Sequence, residues 1–153
     1  AGRKVALTLS DSFCVDRYRD EFLQLIRART VDIVFANESE LKSLYQTADF
    51  ASALDALRAE ASLAIVTRSE QGAIAVEGTT LVSAPAFPVD KVVDTTGAGD
   101  LFAAGFLSGH ARGLGHEMSL RLGALCAAEI ISHMGARPEA NLKALAAENG
   151  FAL

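Results

Sequence analysis

Three nearly continuous apolar segments restrict the possible folds of this chain most strongly. Residues 4–9, 31–35 and 63–67 are rich in Val, Ile, Leu and Ala and show little alternation with polar side chains. Stretches that favour helices, at 15–29, 37–45 and 50–60, separate or follow them. Strands that are apolar on both faces and alternate with helices are typical of a parallel sheet covered on both sides. The sequence therefore predicts an α/β fold with a mostly parallel sheet.

The pattern changes after residue 72. Residues 73–77 and 80–83, joined through Gly78, predict a β-hairpin or a pair of short strands. The last third favours helices: an almost wholly apolar one at about 98–112, an Ala/Leu-rich one at 119–134 and a surface helix at 139–148. Gly135 and Pro138 are the stop signals of the second. Since no linker or repeat interrupts the chain, we expect one α/β domain over residues 1–153.

Composition narrows the class of protein. Half of the 153 residues are hydrophobic, enough for one core, and 14 basic against 19 acidic residues give a net charge of −5. Without a basic run, nucleic-acid binding has little support. Without a signal peptide or a long apolar span, we expect a soluble cytoplasmic protein with no membrane partner. Cys14 and Cys126 have no metal-ligand spacing and predict buried free thiols.

The segment 94–100, Asp-Thr-Thr-Gly-Ala-Gly-Asp, is the strongest functional signal. Gly97 and Gly99 allow the backbone to turn its N–H groups toward one point, and the helix that follows adds free amides and the positive end of its dipole. Such a turn binds anions. Asp100 would repel an anion there unless it accepts a proton from a substrate. A phosphoryl group on the amides with a hydroxyl beside Asp100 satisfies both features; the alternative is a Gly-rich turn with an ordinary first-turn acid.

This segment, with the apolar helix behind it, resembles the signature of the ribokinase-like (PfkB) family of sugar and nucleoside kinases. Residues 9–13, 31–33 and 37–38 are more similar to its adenosine-kinase-like branch than to the ribokinases proper. The resemblance implies a three-layer αβα, Rossmann-like fold and ATP-dependent phosphorylation of a hydroxyl on a sugar or nucleoside. It assigns the amides of Gly97, Ala98 and Gly99 to the anion hole for the transferred phosphoryl group, and Asp100 to the role of catalytic base.

Three more segments match motifs of the family. Residues 37–40 resemble its Asn-x-x-Glu motif, which orders magnesium-bound water; the residues alone predict a helix capping box, and the two interpretations are compatible. Residues 67–72 resemble its Thr-x-Gly-x-x-Gly nucleotide loop, with Ser69 in place of a glycine; a plain turn is the alternative. Residues 132–137 match the helix end near its adenine and cation sites. The resemblance thus assigns Asn37 and Glu40 to Mg²⁺, Asp94 and Thr96 to a monovalent cation such as K⁺, and Thr67, Gly72, Gly135 and Ala136 to ATP.

The resemblance spans nearly the whole chain but only the C-terminal half of the family's fold. The lid strands, the Gly-Gly motif and the acid that binds the sugar belong to the other half, and since no methionine opens the chain, we expect it to begin inside a longer protein. ATP and a small sugar or nucleoside are the implied partners. The family often pairs through its lid, so a homodimer stays open, as does the acceptor.

Two other classes of function remain open. One is a non-catalytic nucleotide- or phosphate-binding module that lacks an acceptor site. The other is a structural half-domain that completes its fold with another chain. A dehydrogenase is disfavoured, because no Gly-x-Gly-x-x-Gly follows the first strand.

Overall fold

The computed structural model describes residues 2–152 and divides into two compact units. The first, which we call the strand unit, comprises Ile74–Val82 and the described residues up to Arg68. The second, the helical unit, comprises Ser69–Ala73 and the described residues from Ser83 onward. Along the described chain, five strands and seven α-helices follow one another.

The sheet has five strands in the order in which they occur along the chain. They are β1 (Ala6–Thr8), β2 (Ile33–Asn37), β3 (Leu63–Thr67), β4 (Ala73–Glu77) and β5 (Thr80–Ala84). The first three are parallel, and in their register Asn37 at the end of β2 pairs with Thr67 at the end of β3. Only Gly78 and Thr79 connect β4 to β5, which requires a hairpin. The expected mostly parallel sheet and the expected hairpin are both confirmed.

Four helices belong to the strand unit: α1 (Ser12–Arg17), α2 (Arg19–Arg27), α3 (Glu38–Tyr45) and α4 (Phe50–Glu60). The single helix predicted over 15–29 is wrong, because Tyr18 leaves the helical region at φ −120° and ψ 31° and separates α1 from α2. The bounds of α4 are as predicted, and the Asp49 side chain caps its start. Buried aliphatic side chains of strands and helices form one core, among them Val34, Leu41 and Leu57.

Three helices belong to the helical unit: α5 (Ala98–Ala111), α6 (Gly115–Ile131) and α7 (Leu142–Glu148). Helices α5 and α6 pack with almost no side chain between them at Gly105, where a Cβ would lie 2.8 Å from the Cα of Gly123. The start of α6 lies four residues before the predicted one. The start of α7 lies three after it, because the side chain of Asn141 caps that helix.

The remaining expectations concern thiols and membranes. Cys126 is buried, Cys14 is only partly buried, and both thiols are free. Within the described part of the chain, no helix has the length and apolar character needed to cross a bilayer.

Candidate active site

The Gly97–Asp100 turn forms the start of α5 in the helical unit. Gly97 precedes the helix with φ 81°, a left-handed conformation that favours glycine, and a Cβ there would lie 3.2 Å from the Cβ of Ala136. Ala98 N donates to the Thr95 carbonyl at 3.2 Å. The amides of Gly97, Gly99 and Asp100 donate to no acceptor among the residues described. An anion can therefore accept hydrogen bonds from those three N–H groups.

Gly99 and Asp100 are the exposed members of this turn. A Cβ on Gly99 would meet no atom within 4 Å, so the fold leaves open space at this position. The carboxylate of Asp100 is stabilised by the dipole at the start of α5, as any first-turn acid is. The turn thus combines free amides, open space and an exposed acid, which is the arrangement that phosphoryl binding and proton acceptance need.

Asp94 organises the chain just before this turn. Its Oδ1 accepts hydrogen bonds from Thr96 N at 2.9 Å and Thr96 Oγ1 at 2.7 Å, and its Oδ2 accepts one from Gly135 N at 3.0 Å. The bonds from Thr96, then the one from Gly135, lower the pKa of Asp94 to about 2. The structure therefore brings the proposed cation residues together with the segment after α6, and it keeps the Asp94 carboxylate ionised at neutral pH.

Glu129, near the end of α6, was not identified from the sequence. Its side chain is 8% exposed, and its Oε1 accepts hydrogen bonds from Glu139 N at 2.8 Å and Ala140 N at 2.7 Å. His133 Nε2 lies 3.3 Å from the same oxygen. The signal in the sequence is a single acid among apolar residues of a buried helix, at Ala127-Ala128-Glu129-Ile130-Ile131.

Asn37 and Glu40 meet at the start of α3 in the strand unit. Asn37 Oδ1 accepts from Glu40 N at 2.8 Å, while Glu40 Oε2 accepts from Asn37 N at 2.9 Å and its Oε1 from Asn37 Nδ2 at 2.8 Å. This confirms the predicted capping box. Glu40 is only 5% exposed, and burial raises its pKa against the opposing effect of the Asn37 backbone bond. The role of both residues toward Mg²⁺ stays a prediction.

Thr67 ends β3 beside Asn37, and the next residue anchors that strand end to α3. Arg68 Nε donates to Glu38 Oε2 at 2.9 Å, and the Arg68 guanidinium lies 4.0 Å from the centre of the Phe50 ring. Lys42 Nζ contacts the other Glu38 oxygen at 2.6 Å. Hydrogen bonds from Lys42 and then from Arg68 lower the pKa of the Glu38 carboxyl. This network fixes the two strand ends that carry the predicted metal and nucleotide motifs.

Ser69 and Gly72 belong to the helical unit and form a 3₁₀ turn with the residues between them. Ser69 has φ 52°, the left-handed conformation that a glycine would adopt without strain, so the departure from the family's motif leaves the glycine-type backbone in place. Gly72 has φ 87°, and a Cβ on it would lie 2.1 Å from the Ala84 carbonyl oxygen. The fold alone therefore requires this glycine.

The predicted site residues fall into two groups. Asn37, Glu40 and Thr67 lie in the strand unit, where β2 and β3 bring them together. The others lie in the helical unit, where Asp94 contacts Thr96 and Gly135, and Gly97 packs against Ala136. Within the described residues, no three His, Cys, Asp or Glu side chains are grouped so that they could hold a metal ion directly.

Comparison with known proteins identifies the family. The family model described as pfkB family carbohydrate kinase matches residues 2–143. The chain belongs to this family. A PfkB relative, the cytidine kinase of Thermococcus kodakarensis, is 36% identical over 126 residues, which cover 77% of this chain and 45% of the relative. The chain therefore spans less than half the length of that protein.

Solved structures confirm the ribokinase-like αβα fold of this PfkB chain. The adenosine kinase from Sinorhizobium meliloti is 50% identical and superposes with a TM-score of 0.96, covering 97% of this chain and 46% of that one. A putative ribokinase II from E. coli, solved in complex with ATP and Mg²⁺, has a TM-score of 0.78 at 23% identity over 95% of this chain and 48% of that one. The second likeness concerns the fold alone.

Proposed function

We propose that this chain carries the nucleotide-binding and proton-accepting part of an ATP-dependent kinase that phosphorylates a hydroxyl of a sugar or nucleoside. The observation that carries the proposal is the Gly97–Asp100 turn, with three free amides and an exposed acid at the start of α5. Membership of a kinase family, and the adenosine and cytidine kinases among the similar proteins, support the reaction class. The names of the similar proteins support a sugar or a nucleoside as the acceptor.

The proposed chemistry follows from the residues of this turn. The acceptor hydroxyl oxygen attacks the γ-phosphorus of ATP, the bond from that phosphorus to the β,γ-bridging oxygen breaks, and ADP leaves. The hydroxyl proton passes to the carboxylate of Asp100 as the new bond forms. The amides of Gly97, Gly99 and Asp100, aided by the dipole of α5, stabilise the charge on the transferred group. The fold supplies these donors before the reaction begins, so no reorganisation is needed. The Ala98 amide, which the resemblance also assigns to the anion hole, donates to the Thr95 carbonyl instead.

The residues also fit the metal ions of such a reaction. Bound to ATP, Mg²⁺ neutralises charge on the phosphates, and it usually keeps several of its waters. Asn37 and Glu40, which meet at the start of α3, are proposed to receive those waters. Asp94, ionised at neutral pH and held by Thr96, is proposed to face a monovalent cation such as K⁺.

A second candidate is a phosphate-binding module without catalysis. The free amides of the turn suit it as well as they suit a kinase. Asp100 favours the kinase, because an exposed acid beside the bound phosphates lowers the affinity of a pure anion binder, whereas a kinase uses it to accept the hydroxyl proton.

Calorimetric titration of Mg·ATP into the chain, with and without potassium, tests the proposal. We expect saturable binding that Gly99→Val abolishes, because the side chain fills the open space at the amides. Asp100→Asn should keep or strengthen binding by removing a negative charge. In a protein that joins this chain to the acceptor-binding half of the fold, it should abolish transfer of labelled phosphate to ribose, adenosine or cytidine. Asp55→Asn, an exposed acid on α4, is the control and should change neither.

Different results would contradict different parts of the proposal. Mg·ATP binding that survives Gly99→Val would remove the turn from the nucleotide site. Undiminished phosphoryl transfer by Asp100→Asn would exclude Asp100 as the base. Mg·ATP binding without transfer to any of the three acceptors, in a protein that joins this chain to the acceptor-binding half of the fold, would favour the module.

A further inference from the structure

The segment between α6 and α7, residues 132–141, forms one side of the anion-binding turn. Gly135 N donates to Asp94 Oδ2, and Ala136 packs against Gly97, so the position of this segment determines what lies beside the turn. No residue of the segment is buried. Because apolar burial does not hold it, its polar contacts decide where it lies.

Two carboxylates supply those contacts. Asp94 holds the middle of the segment through Gly135 N. Glu129 holds its far end, since Oε1 accepts the backbone N–H groups of both Glu139 and Ala140. Hydrogen bonds from backbone N–H groups to a carboxylate are stronger than those between neutral groups. They can therefore hold a segment that buries no side chain.

His133 strengthens the attachment at the start of the segment. Its ring lies between two acids, with Nε2 at 3.3 Å from Glu129 Oε1 and Nδ1 at 3.8 Å from Glu139 Oε1. Glu129 therefore contacts the segment at both of its ends.

The burial of Glu129 indicates that its role is to hold residues 132–141. Its side chain is 8% exposed, and Oε2 is buried without a hydrogen-bond partner among the described residues. Burying an unpaired carboxylate oxygen is unfavourable, so an apolar residue would suit this position of α6 better if helix packing were its only role. The two bonds from Oε1 to the segment are what the acid contributes.

We propose that Glu129 is a positioning residue of the phosphate site, holding residues 132–141 so that Ala136 stays against Gly97 and Gly135 stays on Asp94. This inference rests on the proposed function, because it assumes that the Gly97–Asp100 turn binds phosphate. It concerns a residue that touches neither the turn nor the bound group, and that acts through the segment it holds.

Two variants of Glu129 separate reach from charge. Glu129→Asp keeps the charge but withdraws the carboxylate by one methylene, so its oxygens lose contact with the Glu139 and Ala140 amides. Glu129→Gln keeps the reach and an acceptor oxygen but loses the charge. Glu117→Asp, an exposed acid in the first turn of the same helix, is the matched control.

Amide hydrogen exchange and Mg·ATP titration are measured on each variant, after a thermal melt that shows each to be folded. For Glu129→Asp we expect exchange at Gly135 and Ala140 to rise, and Mg·ATP affinity to fall, each by about tenfold, the equilibrium effect of losing one hydrogen bond to a charged group. Glu129→Gln should change both less than Glu129→Asp does. Glu117→Asp should change neither.

The outcomes are distinguishable. Glu129→Asp with unchanged exchange at Gly135, or with raised exchange and unchanged Mg·ATP affinity, overturns the positioning role. If the unaltered chain binds no Mg·ATP, the proposed function fails, and the exchange at Gly135 still decides whether Glu129 holds the segment.

Discussion

Gly99→Ala separates the requirements of folding from those of ligand binding. Gly99 lies in the first turn of α5, its backbone is not in the left-handed region, and a Cβ there would meet no atom within 4 Å. The fold therefore has no need of glycine at this position. Alanine should raise the free energy of unfolding by about 0.5–1 kcal/mol, because it restricts the unfolded chain and favours the helix.

The same methyl group should weaken phosphate binding. It extends into the open space beside the free amides of Gly99 and Asp100. A hydrogen bond to a charged group contributes about 1.5–3 kcal/mol, so loss of one such bond weakens Mg·ATP binding about 10- to 150-fold. Stability and affinity should thus change in opposite directions, which a general disturbance of the fold would not produce.

Urea denaturation and calorimetry on the same samples measure the two effects. Ala104→Gly, at an exposed position of α5, is the control: it should lower stability by about 0.5–1 kcal/mol and leave Mg·ATP affinity unchanged. If Gly99→Ala destabilises the chain, the space in front of Gly99 is not open as described. If it binds Mg·ATP as tightly as the original chain, phosphate does not approach these amides.

Three further changes test other parts of the structure. Gly105→Ala should destabilise the chain by about 1–3 kcal/mol in urea denaturation, although alanine favours helices, because its Cβ would lie 2.8 Å from the backbone of α6. An unchanged denaturation midpoint would contradict the close approach of α5 and α6. The Met134 carbonyl, then Glu129, raise the pKa of His133. The contribution of His133 to stability is therefore complete below about pH 6.5 and is lost as pH rises through the folded-state pKa. An NMR titration gives that pKa, and His133→Gln should remove this pH-dependent loss of stability. Ser69→Gly should stabilise the chain by about 0.5–1 kcal/mol, since it relieves a left-handed serine at the cost of a more flexible unfolded chain; a lower denaturation midpoint would contradict this.

Local sequence signals predicted the parts of the fold that local chemistry determines. The bounds of β3 and α4 agree with the structure because a short apolar run and an Ala/Leu-rich run are readable from neighbouring residues. The capping box of Asn37 and Glu40 spans four residues and was equally readable. The break at Tyr18 was not, because the apolar spacing on both sides of it continues through the change of helix.

The candidate site depends on contacts that no local pattern encodes. Asp94 and Gly135 are 41 residues apart, and only resemblance to the family placed both near one site. Glu129 holds Glu139 and Ala140 through their backbone amides, for which any residue type except proline would serve. No spacing of particular side chains marks such an interaction, so the structure alone identified it.

The crossing of α5 and α6 has a consequence for the evolution of this site. Most helix interfaces can shift by small steps when their side chains are exchanged for larger or smaller ones. At Gly105 and Gly123 no side chain is available for exchange, because the two backbones already touch. Substitutions at this crossing therefore cannot change, in small steps, the direction in which the first turn of α5 points. Selection for a new acceptor, in nature or in the laboratory, is expected to change residues elsewhere and to keep both glycines.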